Sequence, residues 1–326
     1  MPAAARDPRS IPIRYGAPAG ATDRGRRVDR VGDGSIIVRF DKTPAPSSPR
    51  DVVCPHFLEL KWATGCPFRC AWCYLQGTLR FLPAGTRPRV KDLSRVEAHL
   101  RAFLEHAEGP AELLNTGELS DSLMWEKDGQ AFSRMLVRAL RAHGSGHRAL
   151  LVTKSCRIEN LLADPAPDAL VVSFSLNAHA VARRWERGAP PVALRIDAAR
   201  RLQHAGYEVR VRIDPLVPIP GWQKAYRDLV DQVRRSLQPS RVTLGSLRGL
   251  VSTVNRARDK SWVGFLSEPS GWGRRVALKL RLEMYRLVLE HLGRHGINRV
   301  ALCKETLEAW DALGLDRRSP SCNCVP

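Results

Sequence analysis

GCPFRCAWCYLQGTL, residues 65–79, places Cys66, Cys70 and Cys73 on one short loop with the spacing C-x3-C-x2-C, in a chain of 326 residues that has eight cysteines. Three thiols this close predict metal ligation or redox chemistry rather than disulfides in a reducing compartment. Such a compartment is expected. The opening segment MPAAARDPRSIPIRYG has no apolar core of the secretory kind, and no apolar run reaches the ~18 residues that a membrane-spanning helix needs. The sequence therefore predicts a cytoplasmic protein with no membrane contact. Two ligand sets fit the three cysteines alone. One is a [4Fe–4S] cluster held at three irons, since soft thiolates suit iron. The other is a zinc knuckle completed by a distant fourth ligand.

Outward from this loop, short apolar runs alternate with amphipathic segments. The runs are FLELKWA (57–63), AELLNTG (111–117), ALLVTK (149–154), ALVVSFS (169–175), EVRVRIDPL (208–216), RVTLGSL (241–247) and NRVALCK (298–304). Between them lie DLSRVEAHLRAFLEHA, GQAFSRMLVRALRAHG, PVALRIDAARRLQHAG, AYRDLVDQVRRSL and RRVALKLRLEMYRLVLEHLGRHG, with apolar residues at helical spacing. Gly144, Gly206 and Gly296 stand where helix C-caps are wanted. The alternation predicts βα units and a parallel sheet, as a partial (β/α)6-type TIM barrel. Polar residues at the C-terminal strand ends then share one edge: Thr64, Gly65, Glu118, Lys154, Ser173, Ser175, Asp214 and Cys303.

Residues 1–50 read as a basic, poorly ordered arm, with one short strand at SIIVRF and the Pro/Ser linker DKTPAPSSPR. Residues 51–250 read as the core barrel, and 251–326 as a C-terminal extension. The charge is strongly basic: 52 Lys plus Arg against 33 Asp plus Glu, a formal +19. That attracts polyanions, although a preference for Arg, Ala and Pro also follows from genome base composition. RGLVSTVNRARDKSWVGFLSEPSGWGRR (248–275) interleaves arginines with Trp262, Phe265 and Trp272, which suits base stacking with phosphate contacts and equally a loop with an apolar anchor.

The loop, read as ATGCPFRCAWCYLQGTL after the first barrel strand, resembles the radical S-adenosylmethionine superfamily and, within it, the spore photoproduct lyase family. LVTK, FSLN, the ERGAP segment and AGYEVRVRIDPLVPIPGW extend the similarity over about residues 57–250. The resemblance implies a cluster on Cys66, Cys70 and Cys73 whose fourth iron chelates S-adenosylmethionine. It also implies an electron donor such as flavodoxin or ferredoxin, and a 5′-deoxyadenosyl radical that takes hydrogen from a substrate. Trp72, or its neighbour Tyr74, matches the aromatic beside the adenine. Glu118 in TGELSD would meet the cofactor's ammonium, Lys154 its carboxylate, and Ser173, Ser175 and Asn177 its ribose.

The similarity breaks at NTGELSD, where family members that repair the thymine lesion carry a hydrogen-donating cysteine. Cys156 is the nearest replacement in sequence, with a buried structural thiol as its alternative. Cys303, Cys322 and Cys324 form a second set, suited to an auxiliary iron–sulfur cluster or zinc with Cys54 as fourth ligand, to a redox dithiol, or to no metal at all. Arg187, Arg195, Arg210 and Arg212 would guide an anionic substrate. Three functions stay open: a radical enzyme on nucleic acid or nucleotide, the same generator on a small molecule or peptide, and a non-catalytic metal-binding nucleic-acid protein.

Overall fold

The apolar runs become strands of one ten-stranded sheet. The structure is a computed structural model and describes residues 10–16, 27–40, 46–126, 131–317 and 321–326. In chain order the strands are β1 (Ile13–Tyr15), β2 (Val28–Val31), β3 (Ile37–Phe40), β4 (Phe57–Leu60), β5 (Leu113–Asn115), β6 (Arg148–Thr153), β7 (Leu170–Leu176), β8 (Glu208–Leu216), β9 (Val242–Ser246) and β10 (Val300–Leu302). They lie in that order across the sheet. From β4 to β10 every pairing is parallel. Among the described residues β4 and β10 are not paired, so the sheet is open, as a partial barrel is.

Burial explains the order. All seven residues of β7 are buried, which fits a central strand covered on both faces. The helices α1 (Leu93–His106), α2 (Phe132–His143), α3 (Val192–His204), α4 (Trp222–Ser236) and α5 (Leu278–Arg294) follow the amphipathic segments. Asp92 caps α1 by accepting from the Ser94 amide at 2.9 Å, and Gly144 ends α2 in the left-handed region at φ 67°. The first two positions expected of α2, 129 and 130, lie outside the described residues.

The N-terminal region differs from the expected arm. Its described parts form β1, β2 and β3, an antiparallel run that joins the core sheet where β3 pairs with β4. The half-buried pattern of VDRV and IRY hides these strands from a search for apolar runs. Residues 17–26 and 41–45, the arginine-rich stretch and the start of the linker, lie outside the described residues.

The C-terminal extension packs directly on the cysteine loop. Its helix Val251–Arg256 lies against the helical turn Leu75–Thr78. A Cβ on Gly77 would sit 2.4 Å from Ser252 Oγ and 2.7 Å from the Thr253 amide, so only glycine permits this approach.

Candidate active site

Beyond the C-terminal ends of the parallel strands opens a cavity of about 1420 Å³. The cysteine loop forms one wall. Gly65 starts it at φ 78°, and a Cβ there would strike the Arg87 carbonyl at 2.2 Å. Cys66 donates its amide to Thr86 O at 3.0 Å. Cys70 sits in the short strand Arg69–Cys70, paired antiparallel with Glu186–Arg187. Cys73 closes a turn onto Cys70 O at 3.1 Å. All three line the cavity and have free thiols. Burial pushes each thiol up, that of Cys70 to about 12.

The donor set fits a cluster better than zinc. A tetrahedral zinc with Zn–S near 2.3 Å holds its sulfurs about 3.8 Å apart. Among the described residues no three cysteine sulfurs lie within 4.8 Å of one another. An iron–sulfur cube spreads its thiolates more widely because each binds a different corner.

Lys154, at the end of β6, reaches toward the loop. Its Nζ stands 3.7 Å from Glu186 Oε1, and Arg195 Nη1 donates to Glu186 Oε2 at 2.6 Å. The Glu186 side chain is wholly buried. Burial opposes the Lys154 charge most strongly, but Glu186 together with Cys70 and Cys73 outweighs it and holds the pKa above the ordinary lysine value. Arg195 also donates to the Ser175 carbonyl at 3.1 Å, so it braces β7 and does not face a substrate.

Glu118 lines the cavity beside Asn115, whose Nδ2 donates to Glu118 Oε1 at 3.2 Å. Tyr74 lines it too, with its hydroxyl donating to the Glu118 carbonyl. Trp72 touches the cavity but is buried and packs on Trp185 at 5.7 Å between ring centroids. Ser175 borders the cavity.

Ser173 and Asn177 do not border it. The Ser173 hydroxyl accepts from Asn323 Nδ2 at 2.8 Å. The Asn177 amide donates to Pro215 O at 2.8 Å, and its oxygen accepts from Tyr226 and Ala178. Cys156 is also absent from the lining and packs against the hydrophobic core. The ribose contacts expected of Ser173 and Asn177, and the catalytic thiol expected at Cys156, are therefore not supported by their positions. Periodicity placed these residues near the right strand ends but could not tell which way the side chains turn.

Residues 321–326 supply the opposite wall. Asn323 inserts its side chain between strands: Oδ1 accepts from Thr243 Oγ1 at 2.9 Å, and Nδ2 donates to Ser173 Oγ and to Val211 O at 2.9 Å. Arg210 Nη1 donates to the carbonyls of Asn323 (2.9 Å) and Val325 (2.6 Å). Arg241 donates to those of Cys322 (3.1 Å) and Pro326 (3.0 Å). Both arginines are buried, so neither guides substrate.

The clamp sets Cys322 and Cys324 into the cavity with Cys303 and Cys54. Arg212 donates to Cys324 Sγ at 3.1 Å and to Cys303 Sγ at 3.8 Å. Arg248 pairs with Asp214 at 3.0 Å and donates to Cys303 Sγ at 3.6 Å. Arg187 is exposed and lies 3.5 Å from Asp259. Arg248, read only as part of the basic segment 248–275, sits inside the cavity, and the buried Ser120 hydroxyl, not singled out from the sequence, lines it with no hydrogen-bond partner.

The mouth is apolar and basic. Of the large apolar side chains left exposed among the described residues, Tyr74, Phe81, Leu82, Val251 and Trp272 all line this cavity, and only Leu194 does not. Arg80 stacks over Phe81 at 4.1 Å, and Arg256 stands in the same rim. Trp262 and Phe265 sit in and against the core, as the apolar-anchor reading of this segment has it and not the base-stacking one.

A family model described as spore photoproduct lyase matches residues 56–246. The spore photoproduct lyase of Bacillus subtilis is 28% identical over 183 residues, 55% of this chain and 51% of that protein. The one from Geobacillus is 25% identical over 181 residues, 54% of this chain and 50% of that protein. The chain thus spans about half the length of the curated relatives it matches. A solved spore photoproduct lyase variant with bound AdoMet and dinucleoside spore photoproduct superposes with a TM-score of 0.60 at 21% identity, covering 75% of each chain. A second solved lyase, complexed with dinucleoside spore photoproduct, gives 0.60 at 20% identity with the same coverage.

Proposed function

Because this chain belongs to the spore photoproduct lyase family of radical S-adenosylmethionine proteins, we propose that it is a cytoplasmic enzyme that repairs or modifies nucleic acid by radical chemistry. The observation that carries this reading is one cavity with a three-thiol loop in its wall and, among the described residues, nearly all the exposed large apolar side chains at its mouth.

Cys66, Cys70 and Cys73 would hold a [4Fe–4S] cluster. With S-adenosylmethionine bound and an electron from a flavodoxin- or ferredoxin-like donor, the chemistry supplied there would be reductive cleavage to a 5′-deoxyadenosyl radical. The protein's own groups do the rest. Glu118 and the partnerless Ser120 hydroxyl offer acceptors to the cofactor's ammonium. Lys154, held by Glu186, offers a cation to its carboxylate. Tyr74 or Trp72 packs the adenine, and Ser175 reaches the ribose. The apolar rim excludes water once a substrate fills the mouth.

The substrate class rests on the rim. Phe81 and Trp272 present ring faces that stack on bases, and Arg80 and Arg256 stand ready for phosphates. The solved relatives bind a dinucleoside lesion, which supports the same class here. The thymine lesion itself is a poorer match, because NTGELSD has no cysteine. A second reading is favoured by the thiols of Cys54, Cys303, Cys322 and Cys324 around Arg212 and Arg248. By the same spacing argument these would hold an auxiliary iron–sulfur cluster rather than zinc, with a small molecule or peptide as substrate.

Anoxic reconstitution with iron and sulfide, dithionite and S-adenosylmethionine tests the proposal. The expected product is 5′-deoxyadenosine, carrying deuterium when a deuterated oligonucleotide substrate is supplied. Cluster-replete protein that never cleaves S-adenosylmethionine rules out the enzyme. Cleavage without oligonucleotide binding at low salt favours the second reading.

A further inference from the structure

Away from the cavity, α4 and α5 pack together, and three ligand-type side chains meet at their contact. His291 in the last turn of α5 and His295 at its C-cap are four residues apart, so both imidazoles project from one helix face. Asp231 faces them from α4. His291 Nε2 stands 2.7 Å and His295 Nε2 3.0 Å from the same oxygen, Asp231 Oδ1. The two rings lie edge to face, centroids 5.1 Å apart at 82°. All three donor atoms fall within 4.8 Å of one another, a grouping that among the described residues occurs nowhere else. None of the three lines the cavity.

We propose that Asp231, His291 and His295 form a binding site for one divalent transition-metal ion, zinc by ligand preference, that clips α5 to α4. Two imidazole nitrogens and a carboxylate oxygen are a borderline-soft set suited to Zn²⁺, Co²⁺ or Ni²⁺ rather than to Mg²⁺ or Ca²⁺. A tetrahedral ion about 2.0–2.1 Å from each ligand holds them about 3.4 Å apart. The present 2.7 and 3.0 Å separations therefore need to open by about 0.7 and 0.4 Å to reach that spacing, within the reach of side-chain rotation. Each neutral imidazole moves its proton to Nδ1 and offers the Nε2 lone pair. The site lies at the C-terminal end of α5, where the helix dipole favours a cation. The side chains are partly open, 16% exposed at His291, 31% at His295 and 36% at Asp231, which leaves room for water in the remaining coordination position. The site is independent of the cysteine chemistry and stands whether or not that chemistry does.

The test uses anoxic, cluster-loaded protein, so that Cys66, Cys70 and Cys73 are already occupied. Wild type and the His291→Gln/His295→Gln double variant are titrated with Co²⁺ and Zn²⁺. Wild type is expected to bind one Co²⁺ with d–d bands but no thiolate charge transfer, and saturating Zn²⁺ is expected to raise its thermal midpoint. The double variant should bind at least about tenfold more weakly and show no midpoint shift, while its iron content and S-adenosylmethionine cleavage stay at wild-type level. Equal metal uptake by the two proteins, or a purely thiolate Co²⁺ spectrum, overturns the proposal. Should the double variant fail to fold, X-ray absorption on zinc-loaded wild type decides. A shell of two imidazoles and oxygen supports the site, and a sulfur shell overturns it.

Discussion

At the scale of single residues, Glu186 organises the cofactor side of the cavity. It is wholly buried between Arg195 at 2.6 Å and Lys154 at 3.7 Å. Removing a buried acid strands two cations, so Glu186→Ala is expected to cost about 3–5 kcal/mol of stability, read from the denaturant midpoint. An unchanged midpoint would show that the pairing contributes nothing. Lys154→Ala tests the other half of the pair: KM for S-adenosylmethionine should rise by about ten- to a hundredfold, since a charge-assisted bond contributes roughly 1.5–3 kcal/mol. Lys154 was legible in the sequence because LVTK ends a strand. Glu186, 32 positions later, was not, because a buried ion pair between distant segments leaves no periodic signal.

Among the structural elements, the segment 321–326 is the clearest case of function placed by packing. Arg210, Arg241, Thr243 and Ser173 hold it by side-chain bonds, and it carries two thiols into the cavity. Arg241→Met removes donors to Cys322, Val325 and Pro326. Alkylation of Cys322 and Cys324 is then expected to quicken by tenfold or more, each lost bond being worth about 1 kcal/mol. Labelling as slow as in wild type would show that the arginine does not clamp the segment. The seven parallel strands were legible because each is an apolar run bounded by helical periodicity. Of the antiparallel strands, β3 was legible within SIIVRF, whereas β1 and β2 were not, since half-buried residues beside charges read as a poorly ordered arm. The same limit applies to Ser173 and Asn177: period two locates a strand end but does not show that Asn323 and Tyr226 already occupy those side chains.

For the molecule as a whole, the +19 charge and the rim make separable predictions for nucleic-acid binding. Affinity should fall linearly with log salt, and replacing Arg80 and Arg256 together by Ala should lower the slope by about 2, near 0.9 per phosphate contact. Phe81→Ala should weaken binding by about 1–3 kcal/mol without changing the slope, because stacking releases no counterions. A slope change with Phe81→Ala, or none with the arginine pair, would mean the rim does not touch the polyanion.

The proposed activity depends on an iron–sulfur centre that the loop would grip at only three corners. Electron paramagnetic resonance of the dithionite-reduced, anoxic protein tests that most directly. The expected result is a [4Fe–4S]⁺ signal that changes shape when S-adenosylmethionine is added and vanishes in Cys66→Ala, Cys70→Ala or Cys73→Ala. A colourless protein with zinc at these thiols, or a cluster signal indifferent to S-adenosylmethionine, would contradict the open coordination site.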